Sequence, residues 1–206
     1  MPKIVDRERQ RAEIAAAAAT WIAAHGLETL SLRNVATAYG CSKGMVQHYF
    51  ADKEELLFGA LLYVTDQYER RAAVAIEGRT GPDRIERRFV TILPLTAALR
   101  AEWTVRLAFY ARAALVPRMQ RYLSEHVGRA TEEGVRDLRA ARRRGELRRG
   151  VDLERAYRTI MATVAGIAVA EVVSPQGIVA ARQKRMLRDA LAVVRASPAR
   201  GKRRRV

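Results

Sequence analysis

Between Ser31 and Lys53 the chain spells two short helical segments, each opened by a serine and separated by a glycine-containing turn. SLRNVATAYG starts at Ser31 and stops at Gly40; CSKGMVQHYF starts at Ser42. A serine before a helix supplies a hydroxyl oxygen to an otherwise unpaired N–H of the first turn. A glycine ends one by taking the left-handed conformation at little cost. Segments this short are not stable alone and must pack on a neighbour. Val35, Ala36, Val46 and Phe50 have the spacing to dock on the preceding helix, where Ile14, Ala18 and Ile22 form one stripe. The pattern predicts a helix-turn-helix, whose second helix is short enough to present its N-terminal end to a DNA major groove.

The positions not used for packing carry the chemistry. Ser42 offers a hydroxyl and a helix start to a phosphate. Gly44 lets backbone approach the groove. Gln47 has an amide that pairs bidentately with adenine, and Lys43 reaches guanine acceptors. Tyr49 and Lys53 stand at the far end, where phosphate contact is expected. Asp52 opens the following helix as its cap, with Glu55 three residues on as in a capping box.

The remainder also reads as helix, so the expected class is all-α with about nine helices. A helix runs on from Asp52 with Leu57, Leu61, Val64 and Tyr68 on one face. GRTGPDR, residues 78–84, marks a boundary or hinge. Pro94 should kink or divide a helix from Arg84 to Leu99, and Glu102 to Leu115 forms the next. A long helix starts at Pro117 and runs to about Arg144, one starts after Asp152, and a last one carries Val179 to Val194 beyond a turn at SPQG, residues 174–177. The expected division is a DNA-binding domain at 1–55, a helical ligand-binding and dimerisation domain at 56–196, and a disordered basic tail at 197–206.

Charge constrains partners less than it first suggests. The chain has 38 Lys+Arg against 22 Asp+Glu, a net charge of +16. Residues 1–55 are neutral, with seven of each sign, so the excess lies outside the helix-turn-helix. The longest stretch free of charged residues, Ile14 to Leu27, has 14 residues, whereas a membrane span needs about 20. MPKIVDRERQ has no apolar core of a secretory signal. One cysteine, Cys41, excludes an internal disulfide, and a cytoplasmic protein is expected. His25, His48 and His126 are scattered, so no metal site is expected, and no cofactor is implied. No nucleophile elbow, phosphate-binding glycine loop or carboxylate pair points to an enzyme.

The stretch LSLRNVATAYGCSKGMVQHYFADKEELLFGAL resembles the TetR family of transcriptional regulators. The resemblance rests on Ser31, Val35-Ala36, Gly40, Ser42-Lys43-Gly44, Tyr49-Phe50 and Lys53-Glu54-Glu55-Leu56, about a quarter of the chain. It implies a regulator, most often a repressor, that binds a palindromic DNA operator as a homodimer and is released by a small-molecule effector. It also adds Ser31 and Arg33 to the DNA-facing set. Gln47 stands where the family most often has Tyr, and Met45 where a small polar residue is usual, so the base contacts of this chain differ. AEWTVRLAFYARAALVP and VDLERAYRTIMATVAGIAVAEVVSPQG weakly resemble the BetI-like branch, whose members can respond to choline-type molecules. For such a cation Trp103, Phe109, Tyr110 and Tyr122 would supply an aromatic cage, Met161 apolar lining, and Glu102 or Glu171 a carboxylate. The resemblance places the dimer interface on the last two helices, where Gly166 lies among Ala162, Ala165, Ala168 and Ala170. The competing reading is a basic protein that binds nucleic acid or a membrane surface without regard to sequence.

Overall fold

The computed structural model describes residues 2–174 and 179–195, with side chains from Asp6 onward. The expected tail at 197–206 and most of the SPQG turn lie outside the described residues. Among those described, nine helices follow in order: α1 (Pro2–His25), α2 (Leu32–Tyr39), α3 (Lys43–Tyr49), α4 (Lys53–Ile76), α5 (Gly81–Val90), α6 (Ala97–Ala113), α7 (Pro117–Arg143), α8 (Leu153–Val173) and α9 (Ala180–Ala192). The all-α expectation holds.

The helix starts follow from local chemistry. Ser31 accepts a hydrogen bond from the Asn34 N–H at 3.1 Å, and Ser42 from Met45 at 3.1 Å. Asp52 accepts from Glu55 at 2.8 Å, Thr96 from Leu99 at 3.2 Å, and Asp152 from Arg155 at 3.1 Å. Each cap takes one of the N–H groups that the first turn leaves over. Pro94 does not merely kink a helix: α5 ends at Val90, and α6 opens at Ala97, five residues before the start read from the sequence.

Two apolar cores form. The first gathers Ile14, Ala18 and Ile22 of α1, Val35 and Val46 of the two short helices, Phe50, and Leu56, Leu57, Ala60, Leu61 and Val64 of α4. Val105 and Phe109 of α6 and Met119 of α7 complete it. The second joins Ile85 and Phe89 of α5, Trp103 of α6, Leu138 of α7, Tyr157, Ile160 and Ile167 of α8, and Leu187 and Leu191 of α9. The division read at 55/56 falls inside the first turn of α4, which spans 24 residues. Its first half belongs to the helix-turn-helix core, and its second half packs toward α5.

The most apolar helix is not the one with the longest charge-free run. Although α1 holds the longest charge-free run, α8 is the described helix long and apolar enough to cross a membrane. Its apolarity has another use here. Leu153, Tyr157, Ile160, Val164 and Ile167 are buried in the second core, while Ala162, Gly166, Val169 and Val173 lie exposed on another side.

Candidate DNA-reading surface and ligand cavity

The helix-turn-helix is fixed from behind. Gly40, with φ of 79°, ends α2 in the left-handed conformation, where its N–H bonds the Ala36 carbonyl at 2.9 Å. Val46 turns inward at 0% exposure and docks α3 on the first core. Phe50 follows, also fully buried, with the Arg11 guanidinium 4.3 Å above its ring. The loop before α2 is tied by Trp21 Nε1 donating to Thr29 Oγ1 at 3.0 Å and by Asn34 Nδ2 donating to the Thr29 carbonyl at 2.7 Å.

That scaffold leaves Ser42, Lys43, Gly44 and Gln47 exposed at the start and outer side of α3, with Arg33 exposed on α2. Lys43 and Gln47, four residues apart on one helix, share a face. Gly44 meets open space: a Cβ there would find only Ser42 Oγ, at 3.9 Å. Three other sequence candidates have internal partners. Ser31 Oγ caps α2. The Tyr49 hydroxyl donates to Gln10 Oε1 on α1 at 2.6 Å, and its ring packs against the core. Lys53 Nζ donates to the Glu28 carbonyl at 3.0 Å. Tyr49 and Lys53 therefore hold the reading head together, a role that the linear pattern does not distinguish from an outward one. Beside this surface, the half-buried Cys41 donates weakly to the Ser42 carbonyl, and burial pushes its thiol pKa up, away from a reactive thiolate.

About 410 Å³ of cavity opens between α4, α5, α6, α7 and α8. Tyr68 and Glu69 of α4, Arg88 and Phe89 of α5, and Trp103 and Tyr110 of α6 form part of its wall. His126, Val127 and Glu133 of α7 and Tyr157, Met161 and Val164 of α8 form another. Trp103 is pinned by its Nε1 donating to the Ile92 carbonyl at 2.6 Å. Gly134 makes room for Tyr157, whose ring carbons lie 2.0 Å from where a Cβ would be. Burial raises the Tyr68, Tyr110 and Tyr157 phenols above their ordinary values, so all three stay protonated. Burial also lowers the His126 pKa and favours its neutral form.

Of the candidate ligand residues, the structure brings Trp103, Tyr110 and Met161 together on this cavity. Phe109 is a correction. It is 0% exposed in the first core, packed against Phe58 with ring centroids 5.8 Å apart, because its side of α6 faces α4. Tyr122 lines only a smaller chamber behind the main one. Neither proposed carboxylate reaches the main cavity. Glu102 is held by Arg71 through two bonds of 2.8 and 2.7 Å, and Glu171 lies 3.4 Å from Arg100. The carboxylates that do line it, Glu69 and Glu133, were not among the candidate ligand residues, nor were Tyr68, Arg88 and Tyr157. Among the described residues no group of His, Cys, Asp and Glu side chains is arranged to hold a metal ion.

Two family models match the chain. The family model "Bacterial regulatory proteins, tetR family" matches residues 14–60, and "BetI-type transcriptional repressor, C-terminal" matches residues 82–196. The HTH-type transcriptional regulator PksA of Bacillus subtilis (strain 168) is 28% identical over 189 residues, covering 91% of this chain and 90% of that protein. A transcriptional regulator from Rhodococcus sp. Rha1 superposes with a TM-score of 0.80 at 26% identity, covering 91% of this chain and 99% of that one. A regulator from Saccharomonospora viridis, solved in complex with choline, superposes at 0.83 with 19% identity over 92% of this chain and all of that one. At that identity the likeness speaks for the fold.

Proposed function

Because the chain belongs to the TetR family of bacterial transcriptional regulators, we propose that it is a cytoplasmic, ligand-responsive repressor that binds a palindromic operator as a homodimer. The observation that carries this reading is the continuity of α4. One end of that helix supplies Leu56, Leu57 and Leu61 to the core behind the reading head. The other end supplies Tyr68 and Glu69 to the cavity wall. A molecule that fits the cavity better in one orientation of α4 biases the orientation of α3 as well. A coupling of about 1–3 kcal/mol suffices for regulation.

In this reading Lys43 and Gln47 read base edges, Gly44 lets α3 approach closely, and Ser42 and Arg33 contact phosphate. Tyr49 and Lys53 act as internal supports. The dimer uses the outer faces of α8 and α9, where Val169, Val173, Val179 and Val193 are exposed beside Gly166 and Ala162. An isologous contact of that kind sets two copies of α3 at a fixed separation, matched to half-sites one helical turn, or a multiple of it, apart.

Selection of genomic fragments by the purified protein at about 0.15 M salt, a strength at which specific contacts survive, tests this. Enrichment of a palindrome, lost in Gln47→Ala, is the expected result. Uniform recovery of fragments, falling steeply with salt, would overturn it in favour of a basic surface that ignores sequence. Sedimentation of the free protein should give a dimer.

A further inference from the structure

Behind the main cavity, toward α4 and α6, lies a chamber of about 50 Å³ walled in part by Leu61, Thr65, Tyr68, Arg106, Tyr110 and Tyr122. Tyr68 and Tyr110 line both spaces. Arg106 is 4% exposed. Its Nη2 donates to the Val64 carbonyl of α4 at 3.0 Å, but its Nε has no partner among the described residues. The nearby carboxylate, Glu102, is 3.9 Å away and already gripped by both terminal nitrogens of Arg71. Two guanidiniums thus share one carboxylate at the inner end, which leaves a net positive charge and an unpaired donor away from water. Both are costly without a partner.

The outer part of the cavity is different. Arg88 pairs there with Glu133 at 3.0 Å, and the remaining charges, Glu69 and Arg129, are exposed to solvent. Water screens such groups, and their signs balance. The field inside the cavity is therefore set by Arg106, and its apolar walls by Phe89, Trp103 and Met161.

We propose that the cavity takes an amphipathic organic anion: a carboxylic acid whose head enters the inner chamber against Arg106 and whose apolar body lies against Phe89, Trp103 and Met161. A carboxylate meets a guanidinium through charge-assisted N–H···O bonds, the strong class of hydrogen bond. Tyr68 and Tyr110 add neutral phenol donors beside it. A quaternary ammonium placed in the same chamber meets the like charge of Arg106. The assignment rests on the reading of this cavity as the effector site, and it also supplies a link to α4. The guanidinium that would hold the carboxylate is also bonded through Nη2 to the Val64 carbonyl, so a guest at Arg106 acts on a side chain tied to that helix.

The test is calorimetric titration of the full chain at pH 7.5 with octanoate and 4-phenylbutyrate against octylamine, 4-phenylbutylamine and choline. Operator binding is followed in parallel. The acids should bind at least tenfold more tightly than the amines of matched body. Arg106→Gln should weaken the acids tenfold or more, and Tyr110→Phe, which removes one hydroxyl and keeps the ring, should weaken them several-fold. If Arg106→Gln does not fold, Tyr110→Phe and the acid–amine comparison on the unaltered chain decide the matter. Amines or choline binding as well as the acids, a folded Arg106→Gln with undiminished acid affinity, or no binding by any probe would each overturn the assignment. Choline releasing the operator while the acids do not would keep the ligand-released repressor and remove the anion. Acids that bind without touching operator affinity would do the reverse.

Discussion

The reading head and the sensor cavity solve opposite packing problems. Behind α3 the core is apolar throughout, with Ile14, Ile22, Val35, Val46, Phe50 and Leu56 all at 0% exposure and the polar side chains held outside or spent on caps. Around the cavity and its inner chamber, the Nε atoms of Arg88 and Arg106 are buried without partners among the described residues. The first region is finished before it meets DNA. Its surface is a rigid presentation of side chains, and under the proposed function affinity for a base sequence would come from geometry already in place. The second is less complete: it leaves guanidinium donors that a bound molecule could satisfy. Under the proposed function, a pre-formed surface would report on DNA and an incompletely satisfied interior on small molecules.

The sharpest break of that comparison is Phe50→Ala. Removing a fully buried ring from a closed core should cost about 3–5 kcal/mol and abolish operator binding, read by denaturant unfolding and fluorescence anisotropy. Gly134→Ala attacks the other region. Its Cβ would stand 2.0 Å from the Tyr157 ring, so the backbone or the ring must shift, at about 1–3 kcal/mol. Calorimetry should show weaker effector binding, with Tyr157 driven into the cavity space. Gln47→Ala sharpens the contrast because it touches only the finished surface. Stability should stay within about 0.5 kcal/mol, while discrimination between operator and single-base variants falls by about 1–3 kcal/mol. A change in its unfolding midpoint would place Gln47 in the scaffold instead.

The smallest effect is a pH dependence confined to the cavity. His126 lies against Tyr122, with Glu69, Glu133, Arg106 and Arg129 as charged neighbours, and burial holds its pKa below the ordinary value. The unfolded chain binds the proton first as pH falls through about 6.5. The folded state follows only at lower pH. The contribution of the neutral ring is therefore complete above about 6.5 and declines on acidification. Thermal melting between pH 7.5 and 5.5 should show this loss, and His126→Gln should flatten it.

The two regions also differ in how legible they were. Ser31, Ser42 and Asp52 each act on an N–H three residues away, so the reading head is written in short-range chemistry that one sequence exposes. Tyr49 and Lys53 were harder, because their partners, Gln10 and Glu28, are 39 and 25 residues distant. The cavity draws its wall from five helices between Tyr68 and Ala165. Its charged members, Glu69, Arg88 and Glu133, look like solvent-facing positions in the linear pattern. Choosing between Phe109 and Tyr110 was beyond periodicity, since α6 packs against α1, α4, α7 and α8 and has no single buried stripe. Arg106 went unread for the same reason: an arginine between Val105 and Leu107 looks like a surface residue until a helix on each side closes over it.

The unbroken run of α4 has a geometric consequence. At about 1.5 Å per residue, its 24 residues make a lever about 36 Å long. Pivoting by about 5° at Tyr68, about 22 Å from its start at Lys53, such a lever would carry its far tip about 2 Å, enough to break a hydrogen bond. Under the proposed function, small adjustments around a guest would thereby be amplified to the distance at which an amide and a base edge lose contact.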